Sequence, residues 1–539
     1  METLGGLLSV VLRGFSLAAL AASTGGIAFA LLVLGPLGGG SPLARRALDR
    51  TLRLIIWGSV GVAFTQFLLL MLQPWALADP AVAWPLREFL SIGFARVGLV
   101  RILAGMALAV AAWRLRRRGP SRASWTTVTA LGLLLGVSSA WLSHAMGRLD
   151  DRGILMALDA LHQIGAAVWV GGLVHLVAFW FLWRRPGDDP LARAVLRRFS
   201  PLALASVGAL AGTGTALSLF YVDTLDGLLG TGYGVMLLTK VILLAAALLL
   251  GGLNFFAVRR LHRDGRAPAP RLWWFTEGEV GLGLTLLLVA ASLTSLPPAR
   301  DVRGDRATIS EVAARFVPRV PGLTTPRIDD LLTSAAPLAD SLAERKPEEY
   351  AWSEFNHHVA GLFVLAMGLL AWLERSGGAR WARHWPLLFL GLAAFLFVRN
   401  DPRAWPLGPA GFWESMVLPD VLQHRMAVAL IVALALFEWS VRSGRLRSPR
   451  WSYVFPLLCA GGGALLLTHS HAMWNLKAEF LTEITHTPLG VLAVFTGWGR
   501  WLELRLPPPE NRLPGRVWAG SMVLLGALLL FYRESGAVP

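Results

Sequence analysis

The chain has few charged residues and almost no cysteine. Only 16% of its 539 residues are charged, and its one cysteine, Cys459, lies inside an apolar segment. A single cysteine excludes an intrachain disulfide framework and a Cys-x-x-Cys metal site. The chain also lacks a Gly-x-x-x-x-Gly-Lys-Ser/Thr phosphate loop, and its predicted cytoplasmic loops are too short for a nucleotide-hydrolysing domain. An ATP-driven pump is therefore excluded.

The chain is rich in apolar residues. Hydrophobic residues make up 55% of it, and the mean hydropathy is +0.55, which predicts an all-α integral membrane protein in contact with lipid. The net charge of +16 comes largely from arginines in short loops between apolar runs. The positive-inside rule accounts for such arginines, so we expect no nucleic-acid partner. The first apolar run continues to Leu34, which predicts a retained first span rather than a cleaved signal peptide.

The apolar runs predict two membrane bundles. Fourteen stretches approach the length of about 17–25 residues that a bilayer requires. A polar, Pro-rich stretch separates the eighth run from the ninth and could hold one amphipathic helix. We therefore predict an eight-span domain at 1–298, a periplasmic polar linker at 299–353 and a six-span, His-rich membrane domain at 354–539.

Loop charge predicts the orientation. The odd-numbered loops carry arginine clusters, such as 114–118, whereas the even-numbered loops are neutral or acidic. This alternation places the odd loops in the cytoplasm and both termini outside. We expect a multi-pass protein of a bacterial inner membrane.

A short motif occurs twice. Ser-His-Ala-Met stands at 143–146 and again at 470–473, and each copy precedes an acid-x-x-His. The pairs are Asp159 with His162 and Glu483 with His486. Residues three apart share a helix face, so the carboxylate could ligate a metal or orient the imidazole. A hydrated residue near a helix start is an equally good account of the acids alone.

The eleven histidines are unevenly distributed along the predicted topology. Eight of them fall at or near external ends of predicted spans: His144, His162, His357, His358, His424, His469, His471 and His486. Packing gives no reason for this preference, whereas an external metal-collecting site does. Imidazole and thioether together suit copper, above all Cu(I), although a single methionine is more often a core residue. The predicted metal ligands are His144, Met146, Asp159, His162, His424, His469, His471, Met473, Glu483 and His486.

Four further polar residues lie inside predicted spans. Lys240 is near enough to the external surface to snorkel. Asn254 and Glu279 share the cytoplasmic side, where they could pair or line an exit route; Asn254 could equally hold two helices together. His175 is alone, deeper in the fifth span.

These residues resemble the signature of the copper resistance protein D family. The resemblance covers 1–298 and is strongest over 143–298. The residues that carry it are His162, Ala166, Ala167, Trp169, Gly171, Gly172, Leu173, Tyr233, Gly234, Lys240, Gly251, Asn254, Glu279, Leu282, Gly283, Pro297 and Pro298. It implies an eight-span inner-membrane protein that moves copper between periplasm and cytoplasm, usually inward. It also implies His144 and His162 as functional residues, with Trp169, Gly171 and Gly172 shaping a helix contact.

The chain departs from this family in two places. His175 stands where an apolar residue is more usual, and the six-span extension has no counterpart in the commoner form of the family. From Glu354 onward the extension has a looser likeness to copper-delivery membrane proteins used in oxidase assembly.

Three functions follow as alternatives. The first is a non-enzymatic copper permease that captures copper at external His/Met sites and imports it, with a periplasmic copper chaperone as a candidate partner. The second is a haem b electron carrier that reduces copper; His162 and His175 are about 140° apart on one helix and do not suit two stacked haems, but one external haem between His424 and His486 stays open. The third is an assembly factor that delivers copper without transporting it.

Overall fold

The computed structural model describes residues 2–37, 41–77, 86–182, 190–264, 269–322, 324–332, 347–377, 379–468 and 476–534. Over these residues the protein consists of helices joined by turns, and a single bridge between Ala404 and Ala410 is its only β-pairing. The chain forms two compact units. Unit 1 is mainly Met1–Arg306, and unit 2 is mainly Ala307–Leu466 with Asn475–Pro539.

Unit 1 contains eight long apolar helices. Their bounds are Gly5–Leu37 (α1), Pro42–Leu72 (α2), Gly93–Arg118 (α3), Arg122–Leu142 (α4), Arg152–Trp180 (α5), Pro190–Tyr221 (α6), Gly232–Arg260 (α7) and Leu272–Leu293 (α8). Helix α5 packs against α1, α6 and α8, and its span is 61% buried. It is thus a central helix of the unit, and it carries Asp159 and His162.

Helices α1 and α5 meet backbone to backbone. A methyl group added at Gly171 would overlap the carbonyl oxygen of Ala21, and one at Gly25 would overlap that of Ala167. Only glycine allows this approach, so the expected role of Gly171 in a helix contact is confirmed. Close packing of small residues stabilises helix pairs in membranes, where apolar burial contributes little.

Unit 2 contains six long helices. Their bounds are Pro347–Arg375 (α9), Arg380–Arg399 (α10), Val421–Arg442 (α11), Pro449–Thr468 (α12), His486–Arg505 (α13) and Arg512–Leu530 (α14). Helix α14 packs against both α9 and α13. Gly361 and Gly526 permit close contact between α9 and α14, because a methyl group on either would overlap the facing backbone.

Thirteen of the described helices are long and apolar enough to cross a membrane, one fewer than predicted. The exception is α13, which lies at the predicted position 485–504 but is too polar. Its Arg500 and Glu503 form an ion pair at 2.6 Å, and Glu503 also pairs with Arg375 of α9. These charges satisfy each other within unit 2.

The external position of both termini stays a prediction.

The predicted linker region contains two short α-helices where it is described, at Ile309–Arg315 and Ile328–Leu332, after two 3-10 turns at Ala299–Asp301 and Arg303–Asp305. Helix α9 already begins at Pro347, before the predicted end of the linker. The first α-helix begins with a capping box formed by Thr308 and Glu311. Lys477, whose Nζ lies 2.8 Å from the Glu311 carboxylate, and the N–H of Thr308 lower the pKa of Glu311 to about 2. The Glu311–Lys477 ion pair therefore links the helix Ile309–Arg315 to the segment of unit 2 that contains Lys477.

Candidate metal-binding cavity

A cavity of about 180 Å³ in unit 1 holds three of the predicted ligands together. His144, Asp159 and His162 line it, along with Lys240. His144 lies in a 3-10 turn, His144–Gly147, that follows α4. Asp151 then turns the chain into α5 with a φ of 56°, a left-handed conformation that aspartate tolerates. His144 of the Ser-His-Ala-Met motif and the Asp159/His162 pair therefore line the same cavity from successive segments of the chain.

Both ring nitrogens of His162 have partners. Its Nδ1 lies 3.0 Å from Oγ1 of Thr213 on α6, and that hydroxyl donates to the carbonyl of Ala209 at 2.6 Å. Because the hydroxyl proton is already used, Oγ1 accepts from an Nδ1–H. The network assigns the Nδ1–H tautomer and leaves the Nε2 lone pair facing Nζ of Lys240, 3.1 Å away.

Asp159, three residues before His162 on α5, lines the same cavity. Its carboxylate accepts from Nε2 of Gln163 at 2.6 Å, and it interacts electrostatically with Lys240. Asp159 thus provides the negative charge that stabilises an ammonium group inside the cavity. The predicted snorkelling of Lys240 is wrong, since its ammonium lies against His162 instead of reaching for the membrane surface.

His144 is held by aromatic rings. Its ring makes edge contacts with Tyr221 and Tyr233, at centroid distances of 6.3 and 6.2 Å, and its Nε2 lies 3.4 Å from the carbonyl oxygen of Leu293. Burial lowers the pKa of His144, and the charge of Arg148 acts in the same direction. A neutral imidazole is the form that binds a metal.

Unit 1 contains two more cavities, each of which shares lining residues with the one before it. A cavity of about 90 Å³ shares His162 and Lys240 with the first. A third, of about 360 Å³, shares Trp169 with the second. The three spaces therefore adjoin one another in series, with His162 and Lys240 lining both the first and the second, and the buried Trp169 ring lining both the second and the third.

The third cavity contains the other polar pair that the sequence indicated. Asn254 of α7 donates to Glu279 of α8, and its amide lies 3.3 Å from Oγ1 of Thr276. Lys240 and Asn254 are both on α7, and fourteen residues of helix correspond to about 21 Å. The series thus covers most of a hydrocarbon core of about 30 Å.

The remaining predicted ligand of the first half, Met146, lies outside this group, and so does His175, the lone histidine deeper in the fifth span. Met146 is 38% exposed and does not line the cavity. His175 is buried, with Nε2 2.8 Å from the Ala22 carbonyl and its ring stacked on Phe29 at 5.9 Å. It packs α5 against α1, and no partner imidazole faces it among the described residues.

In unit 2 the predicted ligands fall into separate groups. Nδ1 of His424 lies 2.8 Å from the carboxylate of Asp401, whereas His486 lies beside His357, with ring centroids 5.8 Å apart. Glu483 is half-buried in the segment before α13. His469, His471 and Met473 lie outside the described residues. Within the described part of the chain, no group of three or more His, Cys, Asp or Glu side chains is arranged to hold a metal.

Sequence reasoning missed Thr213, Tyr221 and Gln66. Tyr221 and Gln66 line the cavity, and the Gln66 amide nitrogen has no hydrogen-bond partner among the described residues. These residues come from α2 and α6, far from the repeated motif in the chain. The only available signal was a polar residue inside an apolar run, which applies to Gln66 and Thr213.

The helices and the charged cavity within them define a multi-pass helical membrane protein. Residues 193–293 match the family described as Copper resistance protein D. The chain therefore carries a region of this family, and the resemblance inferred from its residues is confirmed. Lys240, Asn254 and Glu279 lie within the matched region, whereas His144 and His162 precede it.

A curated relative agrees with this family. "Copper transport protein CutJ" of Bacillus subtilis (strain 168) is 34% identical over 195 residues. The match covers 36% of this chain and 34% of the relative, so the chain spans about a third of the length of the relative it matches. No solved structure matches the chain.

Proposed function

We propose that unit 1 transports copper across the membrane, inward from the end that carries His144. The observation that carries the proposal is the series of three cavities, which begins at His144 and His162 and ends at Asn254 and Glu279. The match to the copper resistance protein D family and the name of the curated relative support copper as the cargo.

Capture takes place in the first cavity. Two neutral imidazoles suit copper, and Cu(I) accepts as few as two ligands. Thr213 fixes the tautomer of His162 so that Nε2 is the ligating atom. His144 provides the second imidazole, and the Asp159 carboxylate compensates part of the charge of the ion.

Lys240 determines when a metal ion can bind to His162. Its ammonium lies 3.1 Å from Nε2 of His162, so a metal ion can reach that nitrogen only when the ammonium moves away. Asp159 is the nearby group that attracts it. When the metal leaves toward the second cavity, Lys240 returns and blocks backward binding. The Asn254–Glu279 pair then receives the ion at the far end.

The test is copper uptake by the purified full-length protein in liposomes that contain a Cu(I)-sensitive dye. His162→Ala and Asp159→Asn should each reduce the uptake rate at least about 10-fold, the scale of effect known for groups around a metal. Asp223→Asn is the matched control. It removes a carboxylate that pairs with Arg303 and Arg306 of the same unit, at 2.8 and 2.6 Å, outside the cavities.

Equal uptake by wild type and His162→Ala would eliminate this cavity as the route. Uptake that occurs only with the protein inserted in the opposite orientation would reverse the proposed direction. Protease accessibility of the linker region establishes the orientation in each preparation.

A further inference from the structure

Unit 2 contains a pair of histidines whose Nε2 atoms have no hydrogen-bond partner among the described residues. His357 lies near the start of α9 and His486 begins α13, and their ring centroids are 5.8 Å apart with an interplanar angle of 71°. Both side chains are half-buried. Neighbouring His358 turns away and lies 2.8 Å from the carbonyl oxygen of Tyr532.

Both rings are fixed in the same tautomer. Nδ1 of His357 lies 2.8 Å from the carbonyl oxygen of Ser353, and Nδ1 of His486 lies 3.1 Å from that of Thr482. A carbonyl oxygen only accepts, so each Nδ1 carries the proton and each Nε2 keeps its lone pair. No described residue is hydrogen-bonded to either Nε2. This is how proteins prepare histidines for metal binding.

The surroundings hold the pair in place. The Tyr532 ring stacks on His357 at a centroid distance of 4.1 Å and lies 5.9 Å from His486. The Ser353 hydroxyl donates to the carboxylate of Glu534 at 2.5 Å, and Glu534 interacts electrostatically with His357. The pair is therefore built from α9, α13 and the segment after α14, with a buried negative charge beside it.

We propose that His357 and His486 form a second binding site, in which the two Nε2 atoms ligate one Cu(I) ion. The centroid of an imidazole lies about 1.1 Å from Nε2, so two imidazoles that share a metal at about 2.0 Å hold their centroids between about 5 Å at a tetrahedral angle and about 6.2 Å at a linear angle. The observed separation of 5.8 Å lies within this range. A two-nitrogen set satisfies Cu(I), whereas zinc normally requires four ligands. The choice of copper rests on the proposed function, while the site itself rests on the two free nitrogens and their geometry.

This site gives unit 2 a role that does not require transport. The ion would be held by two neutral donors beside Glu534, with no described lysine in the position that Lys240 has in unit 1. We therefore expect the second site to retain Cu(I) when the unit 1 site is disabled.

The experiment measures Cu(I) bound per molecule of the purified full-length protein, in competition with a chromophoric Cu(I) chelator. His357→Ala and His486→Ala should each lower the stoichiometry by about one, and His162→Ala should remove a different equivalent, so that His162→Ala with His357→Ala loses both. His384→Ala is the matched control, because its imidazole belongs to unit 2 but accepts from Trp439 instead, at 2.9 Å.

Full stoichiometry in folded His357→Ala and His486→Ala proteins would overturn this site. If the alanine variants do not fold, His357→Gln and His486→Gln keep most of the side-chain volume, and retention of all copper in those proteins would overturn it equally. Loss of copper in the unit 2 variants with unchanged copper in His162→Ala would support this site and contradict the proposed capture cavity.

Discussion

Nζ of Lys240 lies 3.1 Å from Nε2 of His162, the nitrogen that would otherwise be free to bind a metal. A buried ammonium beside a ligand is unusual, because it occupies the lone pair and repels a cation. Asp159 balances the charge. In the structure the ammonium therefore occupies the nitrogen at which the proposed capture of copper would take place.

Replacing the ammonium should strengthen metal binding and slow release. We expect Lys240→Met to bind Cu(I) at least about 10-fold more tightly, since a difference of only about 1.4 kcal/mol in charge repulsion gives that factor. Uptake into liposomes should fall at the same time, because the ion is no longer displaced. Affinity is measured by chelator competition, and rate by the dye assay.

The control is Lys477→Met, which removes a lysine that pairs with Glu311 in unit 2. An affinity in Lys240→Met equal to that of wild type would show that the ammonium does not compete with the metal.

The Thr213 hydroxyl fixes the tautomer of His162, so its removal should weaken copper binding although it touches no metal. We expect Thr213→Val to lower Cu(I) affinity about 10–100-fold, the range for groups that orient a ligand histidine. Thr65→Val is the control, because the Thr65 hydroxyl bonds to Gly61 of its own helix at 2.8 Å. Thr213→Ser should restore binding, and a failure of this rescue would indicate a packing role instead.

Features that depend on residues close together in the chain can be predicted from the sequence, whereas features that depend on tertiary contacts cannot. Apolar runs give the long helices, since length and hydropathy are local properties. Helix α13 forms at the predicted position, but its charged residues keep it out of the thirteen apolar helices. The Arg500–Glu503 pair is visible in the sequence because the two residues are three apart, whereas the pairing of Glu503 with Arg375 of α9 is not. Asp159 and His162 could be found together because their spacing places them on one helix face.

The rest of the site depends on tertiary packing. Thr213 contacts His162 from α6 and Tyr233 lines the cavity from α7, and the position of Lys240 against His162 follows from how α5 and α7 pack. The pairing of His357 with His486 likewise joins two helices separated by more than a hundred residues. The repeated Ser-His-Ala-Met motif indicates His486, but it gives no information about which imidazole lies beside it.

Gly171 should be intolerant of any side chain. Gly171→Ala places a methyl group against the carbonyl of Ala21, and we expect it to destabilise the protein by about 1–3 kcal/mol through overpacking. Gly208→Ala is the matched control, because a methyl group there meets nothing within 4 Å; it should leave stability unchanged or raise it slightly. The thermal midpoint in detergent measures both. Equal midpoints for the two variants would refute the close contact of α1 with α5.

His144 should make stability sensitive to mild acid. Burial lowers the pKa of His144, with Arg13 and Arg148 acting in the same direction, against the Leu293 carbonyl and Asp301. An unfolded histidine takes up a proton near pH 6.5, whereas the folded one stays neutral to lower pH. The contribution of His144 is therefore complete above about pH 6.5 and decreases as the pH falls toward the lowered pKa. Between about pH 7.5 and 5.5, the thermal midpoint of wild type should fall more than that of His144→Gln. Parallel curves would show that His144 titrates normally.

The orientation can be tested at the linker region, which we expect to be external. Asp329 is exposed in the short helix Ile328–Leu332, within an even-numbered loop that is predicted to be external. Arg117 is exposed at the end of α3, in an odd-numbered loop that is predicted to be cytoplasmic. In a Cys459→Ala background, Asp329→Cys should react with a membrane-impermeant maleimide in intact cells, and Arg117→Cys should react only after the membrane is opened. The opposite pattern would invert the whole topology. His144 and the first cavity would then face the cytoplasm, and the same series of cavities would lead outward, which would turn the proposed importer into an exporter.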